Sequence, residues 1–194
     1  TESSWNSLIL CFARSKEPHK ALLTYGEMRR NHPAMRTYVA TFVALMKACG
    51  ELKDVDRGHD LHVDVVNNGL LEESNSFLGN TLVHMYSKCG SFAKAQKVFE
   101  TLPVRDVVSW TALIAGYAQL GEEKVVFTLF SAMIKEGVNP NVVTFSSILN
   151  SCSHSGLLDE CQVYFDIMSI MYDIMPTLEH YTCMIDLYCR TGHL

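Results

Sequence analysis

The chain has 194 residues, 48% of them hydrophobic, which is enough apolar material for a buried core. It holds no run of about 18 apolar residues, so a membrane-spanning helix is not expected. A formal net charge of −5 argues against indiscriminate binding to phosphate polymers, so any nucleic-acid contact must rest on a local field.

A short helical signature recurs along the chain. It reads Trp5-Asn6-Ser7-Leu8-Ile9, Phe42-Val43-Ala44-Leu45-Met46, Gly79-Asn80-Thr81-Leu82-Val83, Trp110-Thr111-Ala112-Leu113-Ile114, Phe145-Ser146-Ser147-Ile148-Leu149 and Tyr181-Thr182-Cys183-Met184-Ile185. The pattern is usually a large aromatic, a polar or variable residue, a small one and two long apolar ones. Self-similarity at a period of 31 to 37 residues marks a solenoid, in which each unit buries its apolar face against its neighbours.

After each signature comes a break and then a second helix. The breaks are Ser15-Lys16-Glu17-Pro18, Gly50, Gly90, Gly121, Gly156 and Gly192, because glycine near a helix end is a stop signal. The second helices carry Ala21 and Met28, Gly58 and Val65, Ala95 and Leu102, Val126 and Met133, and Cys161 and Met168. In each pair a generally small residue sits seven before a long apolar one, so both lie on one helical face. The small residue admits the partner helix and the long one fills the gap to the next unit. The expected fold is therefore all-α, an alpha-alpha superhelix of stacked antiparallel helix pairs. Units fall at 2–38, 39–75, 76–106, 107–141 and 142–177, with a truncated unit at 178–194. The first residues already lie in a helical pattern without a charged-then-apolar leader, so the chain reads as a piece of a longer protein. Seven cysteines without a C-x-x-C pair read as buried reduced thiols.

The unequal unit lengths and the residues themselves carry a family resemblance. The chain resembles plant-type pentatricopeptide repeat proteins of the subclass that alternates standard (P), long (L) and short (S) motifs. Val107-Val-Ser-Trp-Thr-Ala-Leu-Ile-Ala-Gly-Tyr117 through Gly137-Val-Asn-Pro-Asn141 is similar to the standard motif. Gly79-Asn-Thr-Leu-Val-His-Met-Tyr-Ser-Lys-Cys-Gly90 through Leu102-Pro-Val-Arg-Asp106 is similar to the short one, and Gly58-His-Asp-Leu-His62 to part of a long one. The resemblance implies the sequence P (2–38), L (39–75), S (76–106), P (107–141), L (142–177) and a cut S (178–194). It also implies the right hand of the superhelix.

The resemblance further implies single-stranded RNA as partner, one base per repeat. Base recognition falls to position 5 and the last position of each motif, base sandwiching to position 2, and phosphate contact to position 13. Positions 2, 5, 9 and 13 step by three or four residues and so share one helical face. Carried onto this chain, Asn80 with Asp106 implies uracil and Thr111 with Asn141 implies adenine, hence 5′-UA-3′ within the site. Asn6 with Tyr38 half fits a pyrimidine, Val43 with Asn75 fits no base, and Ser146 with Thr177 is left open. Phe77, Val108 and Val143 are the base-sandwich residues, and Arg14, Lys88 and Arg190 the phosphate contacts, with Glu51 breaking the cationic row. Weak, salt-sensitive binding is expected of this chain alone.

Blander readings stand beside these. Asn80 and Thr111 also read as solvated polar residues on exposed faces, and Arg14, Lys88 and Arg190 as ordinary surface charges. Trp5, Trp110, Phe145 and Tyr181 read as helix packing rather than base platforms. His59 and His62, with Asp56 and Asp60 nearby, read as a surface helix rather than a metal site, and His180 and Cys183 as structural. The H-x-E and C-x-x-C elements of the zinc deaminases are missing, so no enzyme activity and no cofactor are expected of this stretch. The reading is an RNA-recognition segment of a mitochondrial or chloroplast C-to-U editing factor, with accessory editing proteins as further partners and a deaminase outside this chain. The alternatives are an organellar RNA stability, splicing or processing factor of the same fold, or a tetratricopeptide-like protein scaffold.

Overall fold

A computed structural model describes residues 1–71 and 76–192, and within them every regular element is an α-helix. In chain order these are α1 (Glu2–Arg14), α2 (Pro18–Asn31), α3 (Val39–Leu52), α4 (Val55–Asn67), α5 (Ser76–Lys88) and α6 (Phe92–Thr101). They continue with α7 (Val107–Leu120), α8 (Glu123–Lys135), α9 (Val142–Ser155), α10 (Leu158–Tyr172) and α11 (Leu178–Thr191). The chain divides into two compact units, Thr1–Val104 and Arg105–Leu194.

Each unit has two layers. In the first, α1, α3 and α5 pack side by side, and α2 and α4 each also touch the first helix of the following pair. The second unit repeats this with α7, α9 and α11 in one layer and α8 and α10 behind them. A second helix thus buries its apolar stripe against two first helices, which no isolated pair offers. No described helix is long and apolar enough to cross a membrane.

The small-to-long pairs all lie inside. Ala21 and Met28, Val126 and Met133, and Cys161 and Met168 are fully buried, as are Ala95 and Val65. At Gly58 a Cβ would sit 2.8 Å from the Met85 sulfur of α5, so the flexible end of Met85 occupies the space that the glycine leaves. Trp110 and Phe145 are core residues as expected. Trp5 is only half-buried beside His32, and Tyr181 is 49% exposed against Phe165. The cysteines depart further from expectation. Cys49, Cys152 and Cys161 are buried, whereas Cys11 and Cys189 are exposed on outward helix faces.

One stop signal is also corrected. Gly50 lies within α3, helical and buried, and the helix ends three residues later at Lys53 with φ of 54°. Lys16, Lys53, Gly90, Gly121, Gly156 and Gly192 all have positive φ and occupy the same place in their repeats. Gly50 has a different task, because a Cβ there would stand 3.3 Å from Lys88 Cβ of the neighbouring helix. Lysine in the left-handed region is strained where glycine is not. Lys53→Gly is expected to stabilise the first unit by about 0.5–1 kcal/mol, the relief outweighing glycine's added freedom when unfolded. Urea midpoints for Lys53→Gly and wild type check this, and an unchanged or lower midpoint contradicts it.

Candidate nucleic-acid interface

The helix caps build the first part of this surface. Asp106 caps α7, its carboxylate accepting hydrogen bonds from the backbone N–H of Val108 and Ser109, both at 3.0 Å. Asn141 caps α9 and Thr177 caps α11, each in a capping box with the side chain three residues on. Tyr38 holds the cap position of α3. The last residue of a repeat is therefore the N-cap of the next first helix. This satisfies orphan N–H groups and holds the side chain at the edge of the first-helix layer. The pattern S/T/D/N followed three residues later by a reach-back side chain signalled this cap role in the sequence. Asn75 lies outside the described residues.

Position 5 is buried in the five complete repeats, whereas Thr182 of the cut unit is exposed. Asn6, Asn80, Thr111 and Ser146 are 1%, 5%, 7% and 6% exposed, which removes the reading of Asn80 and Thr111 as solvated surface residues. Three of these residues reach the cap that closes their own repeat. The Asn6 amide donates to the carbonyls of Glu2 and Arg36 and accepts from the Tyr38 N–H at 2.9 Å. Thr111 Oγ1 lies 2.7 Å from Thr144 Oγ1, which accepts from the Asn141 N–H and donates to Asn141 Oδ1. Ser146 Oγ lies 3.0 Å from His180 Nε2, and His180 Nδ1 accepts from the Thr177 N–H. Thr144 and His180 had no place in the expected site; their role depends on hydrogen bonds between successive repeats. Asn80 lies in the first compact unit and Asp106 in the second.

Position 2 is open. Phe77, Val108 and Val143 are 56%, 54% and 56% exposed at the starts of α5, α7 and α9.

The position-13 row is exposed throughout, but its cations differ. Arg14 and Lys88 form no ion pair with a described residue. Arg190 instead donates to the Ser153 carbonyl at 3.1 Å and stands 3.7 Å from Asp186, so part of its charge is already engaged. Lys47 and His84, one turn earlier on α3 and α5, add basic groups to the same face. Partial desolvation and the charges of Lys88 and Lys47 hold His84 below the usual histidine range. Because the His84 side chain is exposed, the two lysines weigh more than burial. A groove of about 230 Å³ between α1 and α3 is lined by Leu10, Arg14, Val43, Ala44, Lys47 and Glu51, joining an apolar floor to a mixed-charge rim.

His59 and His62 both turn to the Tyr86 hydroxyl, at 3.3 and 3.0 Å through Nδ1. Burial, then His59 and Lys94, lowers the His62 pKa. Among the described residues no three His, Cys, Asp or Glu side chains gather as a metal site.

Residues 105–154 match the model of the PPR repeat family, and residues 3–32, 80–107, 143–170 and 179–194 match the PPR repeat. A mitochondrial pentatricopeptide repeat-containing protein of Arabidopsis thaliana is 35% identical over 98% of this chain and 27% of its own length. The chloroplastic pentatricopeptide repeat-containing protein CRR2 of Arabidopsis thaliana is 36% identical over 98% of this chain and 29% of its own. The chain spans between 22% and 32% of the length of such relatives. In fold it is similar to the pentatricopeptide repeat protein PPR10, from maize, in complex with an 18-nt psaJ RNA element. The TM-score is 0.82 at 18% identity, covering 98% of this chain and 28% of that one. It is also similar to the PPR domain of Arabidopsis thaliana protein-only RNase P 1 in complex with tRNA. There the TM-score is 0.72 at 11% identity, over 97% and 98% of the two chains.

Proposed function

The chain belongs to the pentatricopeptide repeat family, and from that premise we propose that it is a sequence-specific single-stranded RNA-binding segment of an organellar C-to-U editing factor. The carrying observation is that Asn6, Thr111 and Ser146 are each hydrogen-bonded, directly or through one residue, to the cap that ends their own repeat. The position-5 side chain and the residue that ends the repeat are thereby tied into one unit. The RNA complexes of PPR10 and of the RNase P domain support RNA as the ligand, and relatives named mitochondrial and chloroplastic support an organelle. The alternation of motifs in the boundaries given above supports the editing type, whose deaminase then lies elsewhere in the whole protein.

Hydrogen-bond polarity supports adenine at repeat 107–141. The Asn141 N–H and the Thr111 hydroxyl both donate to Thr144 Oγ1, whose own proton goes to Asn141 Oδ1; only this arrangement satisfies all three contacts. Thr111 is left as an acceptor and the Asn141 NH₂ as a donor. Adenine answers with N6–H beside N1. Cytosine offers the same order on a smaller ring, so A is read above C, and both above G and U. Uracil at repeat 76–106 rests on Asn80 and Asp106. Phe77, Val108 and Val143 stack on the bases, and Arg14 and Lys88 follow the phosphates, with Arg190 in a lesser part.

Phosphate contacts position the strand without reading it, whereas base contacts read it. Lys88→Ala is expected to weaken matched and mismatched RNAs about equally and to lower the salt slope by about one. Asn80→Ala is expected to flatten base preference and leave that slope unchanged. Affinities at several salt concentrations separate the two. If the effects were exchanged, the assigned face of α5 would be wrong.

A further inference from the structure

The repeat at 142–177 has no base assigned by its residue pair, yet its hydrogen bonds leave little freedom. His180 is fully buried on the first turn of α11. Its Nδ1 accepts from the Thr177 N–H at 3.0 Å and so carries no proton. In the neutral ring the proton is then on Nε2, directed at Ser146 Oγ at 3.0 Å and the Val142 carbonyl at 3.1 Å. Ser146 consequently turns its own proton to Glu179 Oε2 at 3.1 Å. The Thr177 hydroxyl stands 3.2 Å from the same unprotonated Nδ1, sharing its single lone pair with the Thr177 N–H. Ser146 has spent its donor on Glu179 and keeps acceptor capacity for a ligand, and the Thr177 oxygen beside Nδ1 supplies a second acceptor.

Resting on the reading of this face as an RNA-binding groove, we propose that repeat 142–177 selects guanine, with His180 and Glu179 as positioning residues that hold Ser146 and Thr177 as paired acceptors. Guanine alone among the four bases carries two adjacent donors, N1–H and N2–H, on its Watson–Crick edge. Adenine sets the N1 lone pair against one of the acceptors, cytosine sets N3, and uracil flanks its single N3–H with carbonyls. The exposed Glu179 carboxylate beside Ser146 adds negative potential that favours a donor-rich edge. Val143, one turn before Ser147 on α9 and 56% exposed, supplies the apolar surface for the ring. Together with the preceding repeat the site becomes 5′-AG-3′.

The test uses this chain and a set of short single-stranded RNAs reading UA followed by G, A, C, U or inosine, by fluorescence anisotropy at low salt. G is expected to bind tightest, by about tenfold over A, C and U, the usual scale for a two-bond base contact. Inosine, which keeps N1–H and lacks the N2 amino group, should fall between. Ser146→Ala should reduce the preference for G to about threefold or less. It should still fold, because His180 Nε2–H retains the Val142 carbonyl. Glu179→Ala should free the Ser146 proton and narrow the gap between G and A without altering the circular dichroism spectrum. If A, C or U bound as well as G while A remained preferred at the preceding nucleotide, this inference would fall and the RNA reading would stand. An unchanged G preference in Glu179→Ala would overturn the positioning role. Absence of preference at both nucleotides, or of RNA binding, would overturn the base-per-repeat reading and this inference with it.

Discussion

Truncation of Phe145 to alanine is expected to destabilise the second unit by about 3–5 kcal/mol, the range for removing a large aromatic from a packed core. Phe145 is fully buried on α9, its ring centroid 5.7 Å from both Phe130 of α8 and Tyr172 of α10. Three helices lose contacts at once, and the cavity is walled by two rigid rings that have little room to collapse into it. A loss of this size lowers the melting temperature of a unit of this length by roughly 15–25 °C. Val143→Ala, two residues away on the same helix, is the control. Its side chain is half exposed, so its stability cost should stay within about 0.5 kcal/mol while RNA affinity falls. Thermal melts of the two variants decide the matter. Equal destabilisation by both would mean that the aromatic at the signature's head is not the packing residue assigned here.

The exchange of Thr111→Asn with Asn141→Asp is expected to move the preferred base at that repeat from adenine to uracil. The pair then copies Asn80 and Asp106, and the effect on base discrimination should be about 1–3 kcal/mol, or roughly five- to 150-fold. The fold should tolerate the second change, since asparagine and aspartate cap helices about equally well and Asn141 caps α9 through its Oδ1. The first change asks more, because Thr111 is buried and bonded to Thr144. Each single variant therefore belongs in the experiment, with Asn141→Asp expected to keep wild-type stability and already to weaken adenine. Competition gel shifts with RNAs differing at one nucleotide measure the outcome. A double variant that kept adenine preference with intact helical structure would remove the two-residue reading.

Much of this architecture is legible in the chain because it is local. Helix starts and stops depend on residues within one turn, so the glycines at 90, 121, 156 and 192 mark the ends where the backbone turns left-handed. The pairs spaced by seven, such as Ala21 with Met28, announce a buried face without reference to anything distant. That positions 2 and 13 share a helical face with position 5 follows from the same periodicity, while the choice of those positions came from the family resemblance. What tertiary structure alone decided is how groups some thirty residues apart meet. Gly50 resembles a helix stop in the sequence, and only the approach of Lys88 from the neighbouring helix shows it to be a packing glycine. Asn6 and Tyr38 stand 32 residues apart, and Ser146 and His180 stand 34 apart, yet each pair shares a hydrogen bond. Proton direction in those networks sets which hydroxyls donate and which accept, and no spacing rule encodes it. Pattern placed position 5 and the repeat-ending caps within each helix pair, while packing between successive repeats determined the hydrogen-bonding capacity that Asn6, Thr111 and Ser146 retain.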